Sequence, residues 1–367
     1  MKSMLGRAVG LGLIAAMWMA CSTDEDPVYK YYAYVANNNS ANVSAYTIDA
    51  TTGALTSVAG SPFAAGDEPY GVAVDPFGKF AYVTNYNSAN VSAFAIDAAT
   101  GALAAVAGSP FATDIFPLGV VVDPSGKFAY VTNADHVSAF AINATTGALT
   151  EVAGSPFFSG ITPVGVAVDP SGKFIYVANA NSSNLSAYTI DATTGALTSV
   201  AGSPFTAGSL PSGVAVDPSG KFVYVANVNS ANVSAYTVNA TTGALTAIAG
   251  SPFAAGGWAH SVAIDPPGKF VYVANMAWDS VSAFTINDTT GALTAIAGSP
   301  FAAGDAPTSV AVDPSGKFVY VANLVGPNNI FVYTINATTG ELTAIVGSPF
   351  AAGDEPSGVA VVRVEQE

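Results

Sequence analysis

Charge is scarce in this chain, and positive charge scarcer still: Asp, Glu, Lys and Arg make up 10% of its 367 residues, with 10 basic side chains against 25 acidic ones. The resulting formal charge of −15 argues against nucleic-acid phosphates or anionic lipid headgroups as partners. There is one cysteine, Cys21, so neither a disulfide framework nor a thiolate metal cage can hold the body together. Histidine occurs twice, at His136 and His260, which leaves little material for a multi-histidine centre. The N-terminal apolar run, residues 8–20, falls short of the roughly 20 residues that a membrane-crossing helix needs. What is present in quantity is hydrophobic residues at 50%, together with 36 Gly and 22 Pro. That mixture excludes a disordered chain and a coiled coil, and it suits short strands joined by many turns.

Lys2 and Arg7 followed by the short apolar run read as a secretory signal over residues 1–20. Ala20 directly before Cys21 resembles a bacterial lipobox, although Trp18 stands where an aliphatic residue is usual. The resemblance implies lipidation of Cys21, with residues 21–29 as a lipidated cysteine and polar tether. The expected location is the cell envelope, as an outer-membrane or cell-surface lipoprotein touching the membrane only through its anchor. Loss of residues 1–20 removes two basic side chains, leaving 8 against 25 acids and a charge of −17.

An Asp-Pro pair followed by Gly-Lys recurs with its aspartate at Asp75, Asp123, Asp169, Asp217, Asp265 and Asp313, at intervals of 48, 46, 48, 48 and 48 residues. A period near 48 lies in the propeller range. Each unit holds four short runs rich in Val, Tyr, Phe, Ile and Thr, separated by Asp-Pro-x-Gly and Asp/Asn-x-x-Thr-Gly turns. Hairpins this tight make consecutive strands antiparallel neighbours. The asparagine that ends the second run appears seven times, from Asn37 to Asn323, and Ser-Pro-Phe also appears seven times. The chain starts on a second strand and ends on an unpaired first strand. The expected fold is therefore all-β: a seven-bladed β-propeller with four antiparallel strands per blade. Its ring is closed by the C-terminal strand joining three N-terminal ones, within one domain over residues 30–363 and ahead of a short tail at 364–367. Runs such as Phe-Val-Tyr-Val-Ala are apolar on both faces, as strands sandwiched between neighbouring blades should be.

Tyr-Val-Thr-Asn at 82–85 and 130–133, with Tyr-Val-Ala-Asn in the other five units, resembles the YVTN-repeat propellers and the wider lactonase-like seven-bladed propeller family. The resemblance spans residues 31–362. It implies the propeller fold and, among possible activities, those of 6-phosphogluconolactonases and muconate-lactonising enzymes, whose cationic and acid–base side chains are expected near the central channel.

Ligands usually meet a propeller on the face that carries the fourth-to-first and second-to-third strand loops. The repeated lysines lie on the opposite face, beside the Asp-Pro turns, and Arg363 is the only arginine after residue 7. A phosphorylated lactone would need cationic or bidentate donors, which those loops lack. They carry acids and indoles instead: Asp67, Glu68, Asp305, Asp354 and Glu355 at equivalent places on three adjacent units, with Trp258, His260, Trp278 and Asp279 in unit five. These nine residues are the candidate ligand-binding set. Its expected partner is a cation, a basic peptide or a glycan, with indoles as stacking platforms and carboxylates as oxygen ligands. Asp305, Asp354 and Asp67 are the candidate metal ligands, and Ca2+ is the candidate ion; no other cofactor is called for. Candidate acid–base residues are His136 with neighbouring Asp135, and His260. The leading expectation is thus a monomeric, lipid-anchored binding or surface-interaction module, and the alternative is a lactone hydrolase or related lactonising enzyme.

Overall fold

The computed structural model describes residues 28–326 and 329–366. The segment expected to be a signal peptide, Cys21 and most of the expected tether fall outside that range. Among the described residues no helix is long and apolar enough to cross a membrane.

The described residues form seven sheets, each a strand meander, and the blades are numbered in chain order from the one that begins at Pro69. Blade 4 is typical: its innermost strand Pro211–Val216 pairs with Phe222–Asn227, which pairs with Asn232–Val238. The fourth, outer run is broken into two short pieces, Leu245–Ala247 and Phe253–Ala254, both paired to the third strand. Between them the Ser251 hydroxyl accepts the Ala235 N–H at 2.9 Å, filling the gap that the break leaves in the ladder. The same serine recurs in every blade, for example Ser61, Ser109 and Ser348.

Ring closure is as expected from the out-of-phase termini. The last strand, Pro356–Glu365, pairs along its length with Tyr29–Asn37, and blade 7 is completed by N-terminal strands. Strand pairing runs to Tyr29 opposite Glu365, and Val364 is buried. Strand pairing thus includes Val364 and Glu365, the first two residues of the stretch expected as a tail.

The repeated residues have repeated jobs between blades. Each tyrosine of Tyr-Val-x-Asn is fully buried and donates its hydroxyl to a glycine carbonyl in the next blade's turn, as Tyr176 does to Gly243 at 3.0 Å. The series closes when Tyr320 donates to Gly53 at 3.1 Å. A net gain of about 0.5–1.5 kcal/mol each is small, but seven such bonds link every blade to its neighbour. Apolar clusters fill each interface: Tyr176, Ala178 and Leu185 of blade 3 meet Val223, Val225 and Tyr236 of blade 4. The Asp-Pro aspartates are buried rather than solvated. Asp75 Oδ1 accepts the N–H groups of Lys79 and Phe80 at 2.6 and 2.7 Å, and burial pushes its carboxyl above the usual range.

At the axis the inner strands approach so closely that glycine is required. A Cβ on Gly165 would lie 2.0 Å from the Ser212 carbonyl oxygen of the next blade, and one on Gly119 would lie 2.4 Å from that of Val164. Blades 5 and 6 carry Ser261 and Ser309 instead, whose hydroxyls accept the N–H groups of Val310 and Val359 across the interface.

Candidate active site in the central channel

The channel is lined by one short stretch from each innermost strand. Its entrance ring consists of one equivalent residue per blade, Tyr70, Leu118, Val164, Ser212, His260, Thr308 and Ser357, the second of the innermost strand in six blades and two residues ahead of the strand Val120–Val122 in blade 2. The cavity measures about 200 Å³, below the ~300–1,000 Å³ of ordinary ligand pockets, so it suits a small molecule. The ring is apolar on blades 2 and 3 and polar on blades 4 to 7. Among the described residues no lysine or arginine lines it, which departs from the cationic channel that the family resemblance implied.

His260 is the group with chemical potential here. It belongs to the innermost strand Ala259–Ile264, not to a surface loop as the sequence reading placed it. Strand pairing slips between Ala259 and Ser261, and this bulge turns the imidazole toward the axis. Its Nδ1 lies 2.8 Å from the Thr308 carbonyl oxygen. A carbonyl can only accept, so Nδ1 carries the hydrogen and Nε2 presents its lone pair. That Nε2 faces the Tyr70 hydroxyl at 3.5 Å. Burial holds the His260 pKa below its ordinary value of 6.5, against a smaller opposite pull from the Thr308 carbonyl. The imidazole is therefore a neutral base near pH 7. Burial pushes Tyr70 up to about 12, so its hydroxyl stays a protonated donor.

The ring hydroxyls have a structural share as well. Thr308 Oγ1 donates to the Pro356 carbonyl at 3.1 Å, and Ser357 Oγ lies 3.0 Å from that of Pro69, each bridging to the next blade. Tyr70 and Thr308 were not among the residues expected from sequence. Their signal was present, since they differ from the equivalent residues of the other repeats.

The other candidates fall elsewhere. Trp258, Trp278, Asp279, Asp305, Asp354, Glu355, Asp67 and Glu68 do not line the cavity. Asp279 is structural: its Oδ1 accepts the Ala306 N–H at 2.9 Å, tying two loops together. Trp278 lies over Gly257, where a Cβ would meet the indole Nε1 at 2.5 Å, and both Trp278 and Trp258 are largely exposed. Glu68, Trp258 and Glu355 share a left-handed backbone place just before the innermost strands, with φ of 52°, 55° and 55°. Among the described residues Asp67, Asp305 and Asp354 do not converge as a metal-ligating trio. His136 and Asp135 are adjacent as expected, with Nδ1 and Oδ1 2.5 Å apart, but they lie in blade 2 and away from the channel lining.

The sequence matches the family described as lactonase, 7-bladed β-propeller, in four overlapping stretches: residues 28–114, 107–204, 166–257 and 246–361. The chain belongs to this lactonase family. Among solved structures, this lactonase-family propeller is similar to a Bacteroides fragilis protein provisionally assigned as a 6-phosphogluconolactonase, with a TM-score of 0.78 at 23% identity over 91% of this chain and 98% of the other. It is also similar to the periplasmic gluconolactonase of Pseudomonas aeruginosa, with a TM-score of 0.77 at 17% identity over 91% and 99%. At these identities the two likenesses speak for the fold. No curated protein sequence matches the chain.

Proposed function

We propose that the protein hydrolyses a small, uncharged lactone in its central channel, with His260 as general base. The observation that carries this reading is the fixed His260 tautomer, with Nε2 directed at the Tyr70 hydroxyl inside the cavity. In the reaction, Nε2 takes a proton from water as the water oxygen bonds to the lactone carbonyl carbon. The ring C–O bond then breaks, and the departing alkoxide recovers that proton to give a hydroxy acid. Tyr70, held as a neutral donor, is placed to hydrogen-bond the oxygen that becomes negative.

Family membership favours lactone chemistry over the binding-module expectation. The absence of lysine and arginine from the lining argues against a phosphorylated substrate, which needs cationic neutralisation. Turnover of glucono-1,5-lactone and of 6-phosphogluconolactone by the same preparation is the direct test. The neutral lactone is expected to be preferred by at least tenfold in kcat/KM; equal rates or a phosphate preference would reject the proposed substrate class, and no turnover of any lactone would reject hydrolysis.

The enzyme is proposed to work in the cell envelope, anchored through Cys21. The leader pattern supports this, and one fold relative is described as periplasmic. Cys21→Ala should move the protein from the membrane fraction to the soluble one; a variant that stays with the membrane speaks against the anchor.

A further inference from the structure

Blade 2 departs from its six siblings at three places that meet in space. The loop between its second and third strands has two residues between Asn133 and His136, where the other blades have four or five. His136 occupies the position that is Asn42, Asn90, Asn184, Asn232 and Asn329 in five blades and Ser280 in the sixth. Asp114 occupies a position that is glycine in all six: Gly66, Gly160, Gly208, Gly256, Gly304 and Gly353. In those blades a Cβ would strike the buried asparagine at 2.4 to 2.7 Å. In blade 2 Asn133 donates through Nδ2 to the Val131 carbonyl and the Ser138 hydroxyl, and its Oδ1 accepts from Thr113 Oγ1, bonds that each have a counterpart in a sibling blade.

The outcome is a converging set of ligand atoms. His136 Nδ1 lies 2.5 Å from Asp135 Oδ1 and 3.6 Å from Asp114 Oδ2, and one ligand atom from each of the three residues lies within 4.8 Å of the others. Nδ1 is buried yet makes no hydrogen bond, so the nearby carboxylates stand off the line that N–H donation requires. Asp114 is partly committed, its Oδ1 accepting the Ile115 N–H at 2.8 Å, which leaves Oδ2 toward the imidazole. Phe158 meets the His136 ring edge-on at 5.9 Å and fixes its plane. A neutral imidazole nitrogen and two carboxylates form a mixed N/O set with charge −2, suited to a divalent transition ion at roughly 2.0–2.2 Å from each ligand atom. Ca2+, which seeks six to eight oxygens, is poorly served.

We propose that Asp114, Asp135 and His136 form a binding site for a divalent transition-metal ion such as Zn2+, separate from the channel and independent of the lactone reading. Titrating Zn2+ into the full-length chain in competition with a chromophoric chelator should show one equivalent bound. Asp114→Gly and His136→Asn, which restore residues that the sibling blades carry, should each weaken it by roughly tenfold or more, with the far-ultraviolet circular dichroism unchanged. His260→Ala should bind as the wild type does. Co2+ should give a visible ligand-field band that His136→Asn removes. No stoichiometric binding, binding unaltered in both blade-2 variants, loss of binding in His260→Ala, or displacement by equimolar Ca2+ would each overturn the proposal.

Discussion

His260→Ala should lower kcat/KM for a neutral lactone by roughly 10²–10⁴-fold, the usual contribution of a positioned general base. The fold should survive, because the ring faces a cavity and its removal uncovers only the Thr308 carbonyl and the Tyr70 hydroxyl. The pH profile of the wild type gives an independent reading. Burial disfavours the imidazolium, so the folded pKa lies below 6.5, and the rate should hold through neutrality and fall only as pH drops through that lowered value. The same shift has a consequence for stability. Below 6.5 the unfolded chain binds a proton that the folded one resists, so His260 contributes a loss of stability as pH falls from 6.5 through the folded pKa. A variant with wild-type turnover, or an acid limb above 6.5, would remove His260 from the role of base.

Gly165→Ala is expected to be the most damaging single methyl in the molecule. Its Cβ would sit 2.0 Å from the Ser212 carbonyl oxygen, and both partners are backbone, so no rotamer change relieves the contact. Forcing atoms into a packed interface costs about 1–3 kcal/mol, and more where the surroundings cannot yield. A closed ring yields poorly, since parting blades 3 and 4 compresses the other interfaces. The same backbone approach excludes a Cβ at Gly71, Gly119, Gly213 and Gly358, whereas blades 5 and 6 place Ser261 and Ser309 at the equivalent position, so Gly165 marks the tightest of five such contacts. A denaturation midpoint for Gly165→Ala equal to that of the wild type would show that the inner strands are looser than the described geometry.

The architecture was legible because its causes are local and repeated. Asp-Pro-x-Gly makes a hairpin wherever it occurs, and the Tyr-Val-x-Asn tyrosine finds a turn carbonyl in the next blade each time. The split outer strand was not legible, because the Ser251 hydroxyl that bridges the break acts on a strand sixteen residues upstream. The acidic and indole residues were equally visible in sequence, yet Asp279 proves to be a loop tie and Trp278 a cover over Gly257. Residue type alone does not reveal which way a loop side chain turns.

The sequence by itself determined the strand count per repeat, the number of blades and the way the ends join, since each follows from turn chemistry and a copy number. Only the tertiary structure decided which side chains share the central channel. Tyr70 and His260 are 190 residues apart and meet because ring closure brings all seven innermost strands to one axis. A bulge beside His260 also breaks the two-residue alternation by which a strand's inward side is read from sequence. Asp114 comes to His136 for a related reason: a loop two residues short and a lost glycine matter only once the crossover between blades is laid against that loop.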